Sequence, residues 1–323
     1  MTSSPPPTVL VTGASGFVGS RVVEQALRAV EARRLRLRLM AHRRPLVPQG
    51  PGVENVTGDL TRSETLRGLC DGVDVLVHCA SHIGGPDELC RAVNVAGTGA
   101  LLHEARRAGV TRIVYLSTAA VYGRGRFVRA EAADLERAPL SETSRTRATA
   151  EGLVRAAGGY VLRPHLVYGA GDRWVVPALL RLLKALGAHV REWERALLSV
   201  VDVGALAGAL IATALAPEGR LRATVHHANH PDPVRAGDLV RAAADACGAP
   251  WPAEGVNYTE ACERLTARGV PTHTLDMLVS HHWFGSTALW EELGRPPGRP
   301  FAEGFAEHAA WYRSQYQAAG RAT

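Results

Sequence analysis

Thr12-Gly-Ala-Ser-Gly-Phe-Val-Gly19 follows a short apolar run, Thr8-Val-Leu-Val-Thr12, and precedes an amphipathic segment with apolar residues at Val18, Val22, Val23, Ala26, Leu27 and Val30. That order reads as strand, tight turn and helix. The three glycines have separate physical tasks. Gly13 permits the tight turn, Gly16 lets backbone N–H groups approach a pyrophosphate, and Gly19 lets the helix press against the strand. The start of the helix then offers unsatisfied N–H groups to the anion. The pattern predicts a dinucleotide-binding turn, with Ser15, Phe17 and Val18 completing its contact surface.

Downstream, Leu35, Leu37 and Leu39 alternate with arginine in a second strand, and residues 53–56, 73–77, 112–116 and 160–162 read as further strands separated by helical patterns. Strands alternating with helices imply a parallel sheet covered on both faces, which is the α/β class with a Rossmann-type doubly wound sheet. After Gly169 the alternation breaks. Residues 177–186 and 236–247 read as helices, 197–201 and 224–228 as strands, and four of the six tryptophans lie beyond residue 250. This distribution predicts a smaller C-terminal lobe closing over the carboxyl edge of the sheet, where open α/β folds bind ligands. The expected division is a dinucleotide-binding domain over 8–170, with 197–230 returning to it, and a substrate-binding lobe from 171–196 and 231–318.

The end of the second strand bears on the choice of cofactor. An acidic residue there would hold the ribose hydroxyls of NAD, but His42, Arg43 and Arg44 occupy the place. Guanidinium groups grip a 2′-phosphate through forked, charge-assisted hydrogen bonds, so NADPH (NADP+) is the expected cofactor, with NADH bound at lower affinity. In Gly58-Asp-Leu60, after the third strand, Asp59 is placed to meet the adenine amino group and Leu60 to flank it.

Composition closes off other classes. An apolar share of 46% against 21% charged residues is enough for a core and too little for an integral membrane protein. The most apolar run, 203–216, is short of the roughly 20 residues that span a bilayer and reads as a buried helix. The N-terminal Met1-Thr-Ser-Ser-Pro-Pro-Pro7 has neither a basic region nor an apolar core, so no signal peptide is expected. Five cysteines without paired spacing encode neither a disulfide framework nor a metal site, and a cytoplasmic location is expected. The net charge of +6 comes from scattered residues without aromatic interleaving, so no nucleic-acid or membrane partner is expected, only a small-molecule substrate. No apolar helical seam fixes an oligomeric state.

Further motifs follow in order: Val77-His-Cys-Ala-Ser81, Asn94-Val-Ala-Gly-Thr98, Val114-Tyr-Leu-Ser-Thr-Ala-Ala-Val-Tyr-Gly123, Leu162-Arg-Pro-His-Leu-Val-Tyr-Gly169, Ser199-Val-Val-Asp-Val203 and Leu293-Gly-Arg-Pro-Pro297. From Thr12 onward the chain resembles the extended short-chain dehydrogenase/reductases, the group of nucleotide-sugar epimerases and dihydroflavonol-type reductases. The resemblance implies that Cys79, Ala80, Ser81, Pro164 and His165 border the cofactor. It also implies a catalytic Ser/Thr, matched by Thr118, and a Tyr-x-x-x-Lys helix whose tyrosine donates a proton while its lysine holds the nicotinamide ribose. Setting Glu151 four residues after the lysine position places Arg147 there and Thr143 at the tyrosine position.

Lys184 is the only lysine and residue 180 is leucine, so the chain contains no Tyr-x-x-x-Lys under any alignment. Tyr122, in the strand-end motif, reads as a packing residue. If the chain is an enzyme, its proton comes from elsewhere: His82 in the Ser81-His-Ile-Gly-Gly-Pro86 loop, His165, or a phenolic hydroxyl beside the substrate ketone. Thr118 and Arg147 then cradle the alkoxide. The pattern is similar to the tailoring ketoreductases of antibiotic biosynthesis that reduce aromatic polyketides, angucyclinones among them. Two alternatives stand beside it: a catalytically silent NADP(H)-binding sensor, and a nucleotide-sugar epimerase or dehydratase.

Overall fold

The computed structural model describes residues 5–42 and 49–321, so Arg43 and Arg44 lie outside the described residues. Seven strands form an all-parallel sheet: β1 (Thr8–Thr12), β2 (Arg36–Ala41), β3 (Val53–Thr57), β4 (Val75–His78), β5 (Arg112–Leu116), β6 (Tyr160–Arg163) and β7 (Val225–His227). Their spatial order is β7-β6-β5-β4-β1-β2-β3. The chain runs outward from β1 to β3 and restarts at β4 on the other side of β1. This reversal opens a crevice at the carboxyl ends of the strands.

Every residue of β1 is buried, as its unbroken apolar run requires at the centre of a sheet covered on both faces. Its side chains alternate between two cores. Val9 and Val11 pack with Val22 and Ala26 of α1 (Phe17–Glu31). Leu10 packs on the opposite face with Leu101 of α2 (Thr98–Arg107) and Val154 of α3 (Glu142–Ala156). A third cluster gathers Leu179 and Leu183 of α4 (Val175–Leu186), Leu239 and Val240 of α6 (Ala236–Cys247), and Phe305 and Tyr312 of α8 (Phe301–Arg321). The run 203–216 forms α5 (Val203–Leu215), capped by Asp202, whose carboxylate accepts from the N–H groups of Gly204 at 2.8 Å and Ala205 at 2.9 Å. Alongside it, α7 (Thr287–Leu293) returns to the sheet. Its Trp290 joins the cluster of Val9 and Val11, away from the other late tryptophans, because its indole donates to the Asn229 carbonyl at 2.7 Å.

One local expectation differs from the structure. Residues 197–201 form two short strands in separate sheets. Leu197–Leu198 pairs with Val234–Arg235 and His282–Phe284, whereas Val200–Asp202 pairs with Leu166–Tyr168. Ser199 is the crossing point: its N–H donates to the His282 carbonyl at 2.8 Å, and its hydroxyl accepts from Phe284 N–H at 2.9 Å. The Asn94-Val-Ala-Gly-Thr98 motif sits largely on a π-helix, Arg91–Gly97, a form enriched at functional sites. No helix among the described residues is long and apolar enough to cross a membrane.

Candidate active site

At the turn, Gly16 N–H closes onto the Gly13 carbonyl at 2.9 Å. Gly13 has φ +68°, and a Cβ there would lie 2.6 Å from the backbone nitrogen of Ala80. A Cβ on Gly19 would overlap the Gly13 carbonyl oxygen. Both positions therefore require glycine. Gly16 caps α1 with no side-chain hydrogen bond, and the first turn carries no acid. The N–H groups there remain open to an anion. Behind the turn, His78 bridges the hydroxyls of Thr12 at 2.7 Å and Thr98 at 3.0 Å. Complete burial, then the nearby Arg147 charge, pulls its pKa down to about 4.

The crevice opens into a cleft of about 700 Å³ that brings together Gly13, Ser15, Gly16, Phe17, Val18, Gly19, Cys79, Ser81, Thr118, Thr143, Arg147, Pro164 and His165. No tyrosine is among its described lining residues. His42, Asp59, Leu60, Ala80 and His82 do not line it. Ala80 stands directly behind Gly13, and Leu60 is buried. Asp59 pairs with His42 at 3.1 Å, and its carboxylate is held at about 2, chiefly by hydrogen bonds from Thr61 and secondarily by His42. Ser81 and Ile83 line the cleft on either side of His82, whose backbone is gripped by Asn94. The imidazole of His82 lies against Gly85, its Nε2 buried without a partner.

Arg147 is buried on α3 at the floor of the cleft. It donates to the Leu116 carbonyl at 2.6 Å, and its Nε has no partner. The nearest acid along the helix, Glu151, is committed elsewhere: Arg163 donates to it through Nε at 2.9 Å and also through Nη2, and Ser117 donates its hydroxyl. Arg147 therefore has no carboxylate partner among the described residues. The Thr143 hydroxyl accepts from Gly84 N–H at 3.0 Å, and the Thr118 hydroxyl accepts from Ala120 N–H at 3.2 Å. The Thr118 hydroxyl keeps a proton free to donate, whereas the Thr143 hydroxyl also meets Cys90 Sγ at 3.8 Å.

Tyr122 lies outside the cleft in a buried chain. Its oxygen accepts from Arg163 at 2.6 Å and donates to His227 Nε2 at 2.7 Å, while His227 Nδ1 faces the Gly285 carbonyl at 3.1 Å. Burial brings His227 down to about 3 and raises the Tyr122 phenol. His165 stacks on His282 with ring centroids 5.3 Å apart. Desolvation first, and the neighbouring His282 and His227 second, hold it well below the ordinary histidine range, and it is neutral at pH 7.

The far wall contains residues with weaker local signals. Asp172 caps α4 by accepting from the N–H groups of Trp174, Val175 and Val176 at 2.7–2.9 Å, and leaves the Trp174 side chain half exposed at the cleft. Helix α8 fastens this wall. Tyr312 OH accepts from Gly169 N–H at 2.8 Å, and His308 Nδ1 accepts from Ala170 N–H at 3.3 Å while Nε2 donates to Asp202 at 2.7 Å. No local pattern in the sequence marks Tyr312 or His308. Among the described residues, no three of His, Cys, Asp and Glu converge as metal ligands, and all five cysteines are free thiols.

This architecture has well-characterised counterparts. A 3 beta-hydroxysteroid dehydrogenase/Delta 5-->4-isomerase of Mycobacterium tuberculosis is 32% identical over 76% of this chain and 70% of its own length. A 2-alkyl-3-oxoalkanoate reductase of Stenotrophomonas maltophilia is 28% identical over 92% of this chain and 96% of its own. The structure of MoeE5, solved with UDP-glucose and NAD, superposes with a TM-score of 0.69 at 25% identity, covering 95% of this chain and 99% of that one. Residues 10–227 match the 3-beta hydroxysteroid dehydrogenase/isomerase family. With that match spanning the parallel sheet and most of the residues around the cleft, the chain belongs to the 3-beta hydroxysteroid dehydrogenase/isomerase family of oxidoreductases.

Proposed function

We propose that this protein is a ketoreductase that prefers NADPH and reduces a carbonyl of an aromatic polyketide without a catalytic tyrosine. The single observation that carries the reading is Arg147: a buried guanidinium at the cleft floor, free of any acid among the described residues, with an unpartnered Nε. A buried cation without an anion is costly, and its compensation is a ligand that gains negative charge beside it.

The turn fits a dinucleotide, because the glycines clear space that a Cβ would fill and the open N–H groups of α1 suit the pyrophosphate. His42, with Arg43 and Arg44 after it, supports the 2′-phosphate, and Pro164 and His165 support the nicotinamide side. When bound, the reduced nicotinamide supplies a hydride to the carbonyl carbon. Thr118 keeps its hydroxyl proton for the substrate oxygen because Ala120 N–H already occupies it as an acceptor. Arg147 supplies positive field as that oxygen gains charge. The aliphatic hydroxyl of Thr143, held by Gly84, orders the loop above and is too weak an acid to replace a phenol. His165 is neutral, so it donates a hydrogen bond rather than an imidazolium proton. These features favour a substrate whose own neighbouring phenol protonates the alkoxide and is then re-protonated by water. The half-exposed Trp174 and exposed Ile83 at the cleft suit a flat, apolar body.

The test is NADPH consumption across a panel of hydroxyquinone and aromatic polyketide ketones, with sugar-nucleotide carbonyls as the comparison. Turnover only on ketones flanked by a phenol supports the reading. Tight NADPH binding with an inert panel and no sugar-nucleotide conversion on incubation with NAD+ replaces it by the silent sensor, and conversion of a sugar nucleotide without net consumption of cofactor replaces it by the epimerase.

A further inference from the structure

A second cavity, of about 370 Å³, lies between α1 and α5 near the end of α1 remote from the phosphate-binding turn. Arg28, on its wall, follows Gly16 by twelve residues of helix, about 18 Å at 1.5 Å per residue. Four arginines line it: Arg28 and Arg34 at the end of α1, Arg220 after α5, and Arg295 after α7. Ile211, Leu215 and Leu293 give it an apolar side.

None of these four guanidiniums faces a carboxylate among the described residues. Arg220 donates instead to the main-chain carbonyl of Glu292. Some arginines elsewhere pair with acids, such as Arg38 with Glu54 and Arg299 with Glu307, and others stand singly; what sets these four apart is that they converge on one cavity. With 31 acidic residues against 37 basic ones, acids were available to neutralise this spot as well. The backbone also yields to it. Gly208 lies inside α5, where glycine costs roughly 1 kcal/mol relative to alanine, and a Cβ there would stand 3.3 Å from the Arg295 guanidinium.

We propose that this cavity is a second binding site, taking a small soluble molecule that carries phosphate groups. Its volume falls in the range of small-molecule pockets, and four forked donors with no competing acid match a multiply charged phosphate better than a single carboxylate. The proposal does not depend on the reaction in the cleft.

Calorimetric titration of the full chain with inorganic pyrophosphate at low salt tests it. The expected result is a site weakened about tenfold or more by Arg34→Ser with Arg295→Ser, and measurably by the exposed single change Arg28→Gln, with unchanged circular dichroism and melting. Should the double variant fold poorly, Arg28→Gln decides alone. Pyrophosphate binding that all these variants leave intact belongs to the turn at Gly16 and overturns the proposal. So does the absence of binding, or association only with vesicles of phosphatidic acid.

Discussion

Replacing Arg147 by methionine, and comparing it with the same change at Arg163, separates a functional cation from a structural one. Both guanidiniums are nearly inaccessible to solvent. Arg163→Met removes the two-pronged contact to Glu151, a carboxylate with no exposed surface, and the hydrogen bond to Tyr122. The buried Glu151 then keeps only Arg137 at 3.8 Å and the Ser117 hydroxyl, and breaking a buried pair in this way costs about 3–5 kcal/mol. Arg147→Met loses the charge-assisted bond to the Leu116 carbonyl, about 1.5–3 kcal/mol, and an interaction with the buried Tyr115 phenol, and strands no acid. It also relieves the desolvation of an unpaired guanidinium, several kcal/mol in the other direction. The expected outcome by urea unfolding is an Arg147→Met protein as stable as the parent or more so, while Arg163→Met falls by about 3 kcal/mol or more. In turnover the first variant loses about 10²–10³-fold, the usual consequence of removing one oxyanion donor. An Arg147→Met protein destabilised as much as Arg163→Met, or one with parental turnover, refutes the reasoning.

Changing Arg43 and Arg44 to alanine is expected to erase a preference for NADPH over NADH in nucleotide titrations, and equal affinities in the parent protein would remove the argument. Thr143→Ala should cost about 1 kcal/mol through the lost Gly84 contact and keep most turnover, so a collapse in rate with NADPH binding intact would return the proton relay to that helix. Trp174→Ala should raise KM for an aromatic ketone while NADPH affinity stays unchanged, as read by steady-state kinetics. Acid should weaken the fold through its histidines, since His78 and His227 titrate at about 4 and about 3 when folded but near 6.5 when unfolded. Below 6.5 the unfolded chain takes up protons that the folded protein refuses. Stability, complete above that pH, should therefore decline toward pH 4 by roughly 1.4 kcal/mol per pH unit for each histidine, and a flat urea profile there contradicts it.

The glycine turn between β1 and α1 was legible in the sequence because its determinants lie within eight residues, where glycine spacing reports backbone geometry directly. The parallel sheet was legible for a similar reason, since apolar runs and helical periodicity are local patterns. Thr118, Thr143 and Arg147 were reachable only by matching motifs, and the cleft gathers all three. What stayed hidden depends on distant partners. Glu151 is linked to His227 through Arg163 and Tyr122, and a network of such separations has no periodicity to read. The return of Trp290 to the sheet follows from one bond to Asn229, sixty-one residues away in sequence. The His82 backbone is held by Asn94, whose place in a motif was visible but whose hydrogen bonds were not.

Tyr312 and His308 secure residues 169 and 170 from a helix near the far end of the sequence. During synthesis, every strand of the parallel sheet has been translated once His227 is in place, yet the struts behind residues 169 and 170 come some eighty residues later. An early folded form would own a working nucleotide turn and a slack opposite bank. A cut around Gly298 that released α8 would mimic that state, freeing residues 169 and 170 while the glycine turn keeps its shape.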